Sequence, residues 1–140
     1  SGIAGELFVA AELTRRGFAA TITMKNTADF DILAADLASH ENLRIQVKTN
    51  ERAYRKAWVL NKKCETLVAP NFHYIFVNLA GLRTPEYHIV PSSDVAKTVK
   101  DGQILHMQTL RRNGEKRKET NMRMFFDKSD KYKEAWELLK

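Results

Sequence analysis

The spacing of apolar residues predicts an α-helix at the start of the chain. From residue 3 to residue 16 the apolar positions recur every three to four residues, as in a helix with one buried side, and Gly17 marks its end. Five residues are expected on the buried side: Ile3, Leu7, Ala10, Leu13 and Thr14. Glu6 falls inside this apolar arc. Its carboxylate requires a cation partner, a functional site, or partial exposure in the first turn, where the helix dipole favours it.

Short apolar runs bounded by polar breaks predict six β-strands. They cover residues 18–24, 29–36, 43–49, 72–79, 86–90 and 121–126. The run at 72–79 is the strongest candidate for a central strand because it is apolar almost throughout. Residues 25–27 are few enough to connect the first two strands as a hairpin.

Two further helices are predicted in the second half of the chain. One spans residues 92 to about 100, and the other, capped by Asp127 or Ser129, would place Tyr132, Trp136 and Leu139 on one side. Residues 50–63 are helical or irregular, and 111–119 are expected to form an exposed, mobile loop. This order of elements predicts one α/β domain over residues 1–140, a sandwich in which helices flank a central mixed β-sheet.

Composition and charge narrow the functional classes. The 44% hydrophobic and 29% charged residues are ordinary for a globular domain, and no run approaches the ~18 apolar residues of a membrane span. The single cysteine, Cys64, cannot form an internal disulfide; it fits a reducing cytoplasm and a packing role. A net charge of +6 favours polyanionic partners such as nucleic acid, and no membrane partner is expected because a spanning run is lacking.

Polar residues interrupt the second and third predicted strands. Asp31 opens one apolar run, and Gln46 and Lys48 interrupt the next. Because side chains two apart on a strand share a face, Gln46 and Lys48 project together. Burying them unpaired would cost roughly 2–7 kcal/mol, so a polar partner is expected over that face. An acid, an amide and a lysine in one place can hold a metal ion and a phosphate; the plainer interpretation is a solvated face on which Glu6 pairs with Lys48.

The sequence resembles the PD-(D/E)xK nuclease superfamily, which includes restriction endonucleases and archaeal Holliday-junction resolvases. Three segments carry the resemblance: a helix with Gly5-Glu6 followed by Leu13 and Gly17, then Asp31-Ile32-Leu33-Ala34, then Ile45-Gln46-Val47-Lys48-Thr49. They cover about residues 3–50. Segments 72–79 and 87–92 are similar, less sharply, to small bacterial members.

The resemblance implies a restriction-endonuclease-like fold and a metal-dependent endonuclease that hydrolyses phosphodiester bonds in nucleic acid, above all DNA. Asp31 would be the principal ligand of Mg²⁺ or Mn²⁺, with Gln46 at the E/D position. Lys48 would be the catalytic lysine, which orients or activates the attacking water. Glu6 would be the helix acid that completes the metal shell, and the Val47 carbonyl a further oxygen ligand.

The motif departs from the family pattern in ways that leave alternatives open. No proline precedes Asp31, and Gln46 replaces a carboxylate, so the site would bind metal more weakly, although an amide oxygen still suits magnesium. Asp29 lies on the same predicted strand face as Asp31 and is an alternative ligand. A catalytically weak or inactive nucleic-acid-binding or interaction module on the same fold is the second interpretation, and a purely structural basic protein the third.

Basic residues outside the motif are candidate phosphate contacts. They are Arg52, Arg55, Lys56, Arg111, Arg112, Lys116, Arg117 and Lys118. Enzymes that cut both strands often work as dimers, so a homodimer is possible. No histidine or cysteine has the spacing of a zinc motif, and His73 and His88 are expected to be packed or surface residues. Trp58 is expected in the core rather than stacked on a base.

Overall fold

The computed structural model describes residues 2–24, 29–52 and 55–140, so the predicted connection at 25–27 lies outside the described residues. Helices α1 and α2 cover Gly2–Arg15 and Ser92–Gln108. The strands are β1 (Phe18–Ile22), β2 (Ile32–Asp36), β3 (Asn42–Asn50), β4 (Ala57–Asn61), β5 (Phe72–Asn78), β6 (Glu86–Pro91) and β7 (Met122–Phe126). Short 3-10 helices cover Lys62–Glu65 and Trp136–Leu139. Neither described α-helix is long and apolar enough to cross a membrane.

Five strands form one mixed sheet in the order β1-β2-β3-β5-β6. Neighbours pair antiparallel except β3 and β5, which run parallel. β4 and β7 form a separate two-stranded antiparallel sheet. This arrangement confirms the predicted α/β architecture and places β3, which carries the Gln-x-Lys pair, at the centre of the main sheet.

Alternation along β3 divides its side chains between the two faces of the sheet. Val47 lies in a core that includes Val9 and Leu13 of α1. Gln46 and Lys48 are offset from Val47 by one residue, so they point to the opposite face. The face that α1 leaves uncovered is therefore the one on which the polar pair lies.

The second face of the sheet is covered by α2 and the β4–β7 sheet. The rings of Phe76 on β5 and Phe125 on β7 stack with centroids 4.5 Å apart. Trp58 on β4 is 1% exposed, and its indole Nε1–H donates to the Val77 carbonyl at 2.9 Å, so the prediction that Trp58 belongs to the core is confirmed. With both faces covered, all seven residues of β5 are buried. This second layer brings β4 alongside the polar residues of β3.

The buried face of α1 differs from the predicted one. Gly5 and Val9 face the sheet, whereas Ile3 and Leu7 are each 56% exposed. Glycine has no apolar side chain, so hydrophobic periodicity does not predict its burial, yet Gly5 is the residue at which α1 contacts the sheet. A Cβ on Gly5 would overlap Thr49 Oγ1, so the missing side chain allows α1 to lie directly on β3.

The sequence pattern did not predict one of the strands and predicted one helix too short. The polar stretch 50–63 contains strand β4, whose inward residues Trp58 and Leu60 are flanked by basic residues that conceal the alternation. Helix α2 continues to Gln108 rather than ending near Lys100.

The prediction of a C-terminal α-helix is wrong. Only Trp136–Leu139 are helical, as one 3-10 turn. Asp130 and Glu134 have φ of 58° and 55°, and this left-handed backbone interrupts a right-handed helix. Tyr132 packs in the cluster that contains Trp58 and Phe125, whereas Trp136 and Leu139 pack in the core beneath α1, so the three do not share one side.

Candidate active site

A cleft of about 200 Å³ opens between β3 and β4, on the face of the sheet opposite α1. Asp31, which directly precedes β2, lines it together with Gln46 and Lys48 of β3. The rest of the wall is formed by Asp29, Leu60, Asn61, Lys63, Cys64, Leu67 and Tyr74. The structure thus brings together the acid, the amide and the lysine of the sequence motif.

The Asp31 carboxylate is fixed at the edge of β3. Its Oδ2 accepts a hydrogen bond from the Val47 N–H at 2.8 Å, and the Asp31 N–H donates to the Ile45 carbonyl at 2.8 Å. In a strand the N–H and C=O of one residue point to the same edge, so the Val47 carbonyl also faces the Asp31 side. Asp31 Oδ1 has no hydrogen-bond partner among the described residues. Asp31 is therefore a positioned side chain with one oxygen to spare.

Asp29 is the weaker of the two candidate ligands. It lines the same cleft, but its carboxylate forms an ion pair with Lys63 at 3.2 Å. Its side chain is also 57% exposed, whereas Asp31 is half-buried and bonded to the central strand. Of the two carboxylates, Asp31 is therefore the one fixed on the central strand, and its role as the principal ligand stays a prediction.

Gln46 and Lys48 are half-buried and face the cleft. Neither side chain forms a hydrogen bond or an ion pair with any residue in the described part of the chain. A half-buried ammonium that is not paired with a carboxylate costs free energy, which a bound anion would recover. The pair therefore has the properties of a binding surface rather than of an internal salt bridge.

Two cleft residues that the sequence motif did not identify remain uncharged. Burial raises the pKa of the Cys64 thiol to about 11 and also raises the pKa of the Tyr74 phenol. At neutral pH Cys64 is thus a thiol and not a nucleophilic thiolate. Tyr74 pairs in register with Gln46, so its place in the cleft follows from alternation along β5 once the strand pairing is known.

Glu6 does not line this cleft. Its helix lies on the other face of the sheet, and the neighbouring Gly5 packs on Thr49, which adjoins Lys48. The first turn of α1 therefore reaches the end of β3 that carries Lys48. That Glu6 converges with the three cleft residues stays a prediction.

Among the predicted phosphate contacts, Arg52 and Arg55 lie next to Lys48. All three line an opening that adjoins the cleft. Both arginines are exposed, and neither forms an ion pair within the described structure. Lys56 differs, because its ammonium binds the Asp130 carboxylate. This hydrogen bond raises the pKa of Lys56 and lowers the pKa of Asp130.

The other five predicted phosphate contacts lie outside the described wall of the cleft. They are Arg111, Arg112, Lys116, Arg117 and Lys118. Their segment is exposed, and its main chain turns back on itself, with the Arg111 N–H donating to the Glu115 carbonyl at 2.9 Å. Arg117 donates to the Thr109 carbonyl at 2.9 Å, and Lys118 lines a groove between α2 and β7. Their contact with nucleic acid stays a prediction.

A second polar cluster joins β6 to the segment after β7. His88, Asp127 and Asp130 offer ligand atoms within 4.8 Å of one another. His88 Nδ1 lies 2.6 Å from Asp127 Oδ2, and the Asp127 carboxylate also accepts two backbone N–H groups at 3.0 Å. Asp130 is bonded to Lys56. Because both carboxylates already have partners, we assign this cluster a structural role.

The donors of the cleft fit a hard divalent cation. The spare Asp31 oxygen, the Gln46 amide oxygen and the Val47 carbonyl are all oxygen ligands, the type that Mg²⁺ and Mn²⁺ take. Only one of the three is charged, so the set suits a weakly held ion.

Comparison with known proteins supports the fold. No family model and no curated protein sequence matches the chain. The bacterial homing endonuclease I-Ssp6803I has a similar structure over 99% of this chain and 87% of its own, with a TM-score of 0.59 and 11% identity. Hjc, a Holliday junction resolvase from Archaeoglobus fulgidus, is similar over 94% and 86%, with a TM-score of 0.52 and 17% identity. The predicted restriction-endonuclease-like fold is confirmed, and at these identities the likeness extends to the fold alone.

Proposed function

We propose that this protein is a metal-dependent endonuclease that hydrolyses phosphodiester bonds in nucleic acid, above all DNA. The observation that carries the proposal is the cleft in which Asp31, fixed by the Val47 amide, shares one wall with Gln46 and Lys48. The two structural neighbours, an endonuclease and a Holliday junction resolvase, support the same reaction. The resolvase also makes branched DNA a candidate substrate beside duplex DNA.

Each cleft residue has a distinct part in this reaction. Asp31, Gln46 and the Val47 carbonyl would hold Mg²⁺ or Mn²⁺, with Glu6 as a further acid. The bound ion supplies a water of lowered pKa and offsets phosphate charge. The Lys48 ammonium would donate hydrogen bonds to the attacking water or to a non-bridging oxygen, where negative charge develops in the transition state. Lys48 is available for this because no described carboxylate neutralises it.

Positive charge beside the cleft would position the substrate backbone. Arg52 and Arg55 adjoin Lys48, so we propose them as the nearest phosphate contacts. The 111–118 cations would contact phosphates further along a long substrate. Neutralising phosphates releases counterions and makes binding dependent on salt.

The test is cleavage of supercoiled plasmid and of a four-way DNA junction in Mg²⁺. Lys48→Ala and Asp31→Asn should each lower the rate by roughly 10²–10³ or more, because each removes a group that acts on the reacting phosphate. Lys97→Ala is the matched control, since that lysine lies on α2 and pairs with Asp101 at the surface. If the wild type cleaves neither substrate, or Lys48→Ala cleaves as fast as Lys97→Ala, the proposal fails.

A second candidate is a nucleic-acid-binding module with a weak or inactive site. One observation favours it: Gln46 contributes an amide where a carboxylate would hold the metal more strongly. Binding of DNA that weakens with salt but is not followed by cleavage, in Mg²⁺ or Mn²⁺, would establish this candidate instead.

A further inference from the structure

One edge of β4 faces the candidate active site and has main-chain groups that bond to none of the described residues. The Lys56 carbonyl and the Lys62 N–H bond to the segment containing β7, so every second residue between them does the same. Ala57, Val59 and Asn61 must therefore turn their N–H and C=O groups to the other edge. Those groups border the space beside Lys48, because residues of β4 and Lys48 together line the cleft and the opening that adjoins it.

Donors outnumber acceptors on this edge. The Asn50 side chain donates to the carbonyls of Arg55 and Ala57, at 2.8 and 2.9 Å, and so occupies two acceptors at one end. The N–H groups of Val59 and Asn61 have no hydrogen-bond partner within the described ranges. A row of unpaired N–H groups is an anion-binding arrangement, since each can donate to a phosphate oxygen.

Cations without an ion pair among the described residues lie beside this edge. Arg52 and Arg55 lie at its Ala57 end, whereas Lys63, beyond its Asn61 end, is paired with Asp29. Lys48 faces the middle from β3. An unpaired strand edge also invites pairing with another strand, but basic side chains along an edge oppose that pairing.

We propose that the free edge of β4 is a main-chain binding track for one nucleic-acid strand. The Val59 N–H, and the Asn61 N–H two residues further on, donate to successive phosphates and hold the strand across Lys48. This inference rests on the proposed function for its substrate. It adds a source of affinity that involves no catalytic side chain and that is independent of base sequence.

Proline at position 59 tests this track. It removes the Val59 N–H from the free edge but no hydrogen bond to β7, and proline is tolerated on edge strands in this orientation. Val59→Ala is the matched control, because it shortens the same side chain and keeps the N–H. A second probe replaces Val59 with its α-hydroxy acid, which exchanges the N–H for an ester oxygen and leaves the side chain intact. Circular dichroism and thermal melting verify the fold of each variant.

The measurement is the dissociation constant of a short fluorescent DNA duplex in EDTA, where cleavage does not intervene. Loss of one hydrogen bond to a charged phosphate should weaken binding roughly ten-fold or more in Val59→Pro and in the ester variant, with Val59→Ala close to wild type. Equal affinities in folded variants, or no binding by the wild type, would overturn the track. So would a self-association that Val59→Pro abolishes, because the edge would then pair with a second copy. Failure of Mg²⁺-dependent cleavage alone would count against the nuclease and not against the track.

Discussion

Gly5→Ala probes the contact that sets α1 against the strand carrying Lys48. A Cβ at position 5 would overlap Thr49 Oγ1 and lie 3.2 Å from Thr49 Cβ and Cγ2. Forcing a methyl group into packed space costs typically ~1–3 kcal/mol, and a direct overlap with a side chain close to the backbone belongs at the upper end. Alanine regains about 1 kcal/mol through its higher helix propensity. The net loss of unfolding free energy should therefore be about 2 kcal/mol.

Substitutions at Thr49 separate this overlap from other effects of Gly5→Ala. Thr49 Oγ1 is buried without a hydrogen-bond partner within the described structure, so removing it breaks no hydrogen bond. In a Thr49→Ala background Gly5→Ala should cost close to nothing, because the overlapping atom is gone. In a Thr49→Val background it should still cost about 2 kcal/mol, since a methyl group takes the place of the hydroxyl.

Urea unfolding of the wild type and the five variants in this double cycle measures the coupling between positions 5 and 49. A loss of 2 kcal/mol corresponds to a fall in Tm of roughly 7 °C for a chain of this length. The reasoning is refuted if Gly5→Ala stabilises the protein, or if the valine and alanine backgrounds give the same cost. Cleavage by Gly5→Ala should also fall, because a displaced α1 disturbs the end of β3 that carries Lys48.

Four further outcomes are expected. Gln46→Glu should tighten Mn²⁺ binding, measured by calorimetry, because it adds a carboxylate of the same size beside the Asp31 carboxylate; unchanged affinity would argue against ligation at position 46. Burial lowers the pKa of His73, so the unfolded chain takes up a proton near pH 6.5 before the folded chain does. Unfolding free energy should thus fall as pH drops from about 7 through 6.5, by at most ~1.4 kcal/mol per pH unit, and urea melts should show a flatter profile for His73→Gln. Replacing Arg52 and Arg55 with alanine should flatten the dependence of log affinity on log salt by about two units on duplex DNA, and an unchanged slope would contradict their contact with phosphate. A separate variant tests the loop, with an expected flattening of about three to four units; it carries alanine at Arg111, Arg112, Arg117 and Lys118.

The sequence predicted those parts of the fold in which local pattern and tertiary burial agree. β5 is apolar because both of its faces are covered, and Gln46 and Lys48 share a face because strand alternation is fixed by backbone geometry. Asp31 joined them because β2 and β3 are neighbours, which their short connection favours.

The remaining parts depend on contacts that a local pattern does not contain. Gly5 has no hydropathy signal, yet its contact with Thr49 decides which side of α1 is buried. β4 lies within a basic stretch, and its strand conformation depends on pairing with β7, more than sixty residues later. The Asp130 and Glu134 backbone bends where a capped helix was expected.

The charge balance of the cleft indicates how a site without a second carboxylate would work. Asp29 and Lys63 neutralise each other, which leaves Asp31 and Lys48 as opposite charges on one wall. A divalent ion bound alone would be repelled by the Lys48 ammonium and attracted by only one carboxylate, that of Asp31. A phosphate bound alone would be repelled by the Asp31 carboxylate. Bound together, the ion offsets Asp31 and the phosphate offsets Lys48, so each reduces the repulsion that the other encounters. We therefore expect metal and substrate to bind cooperatively, with the phosphate supplying the negative charge that Gln46 does not.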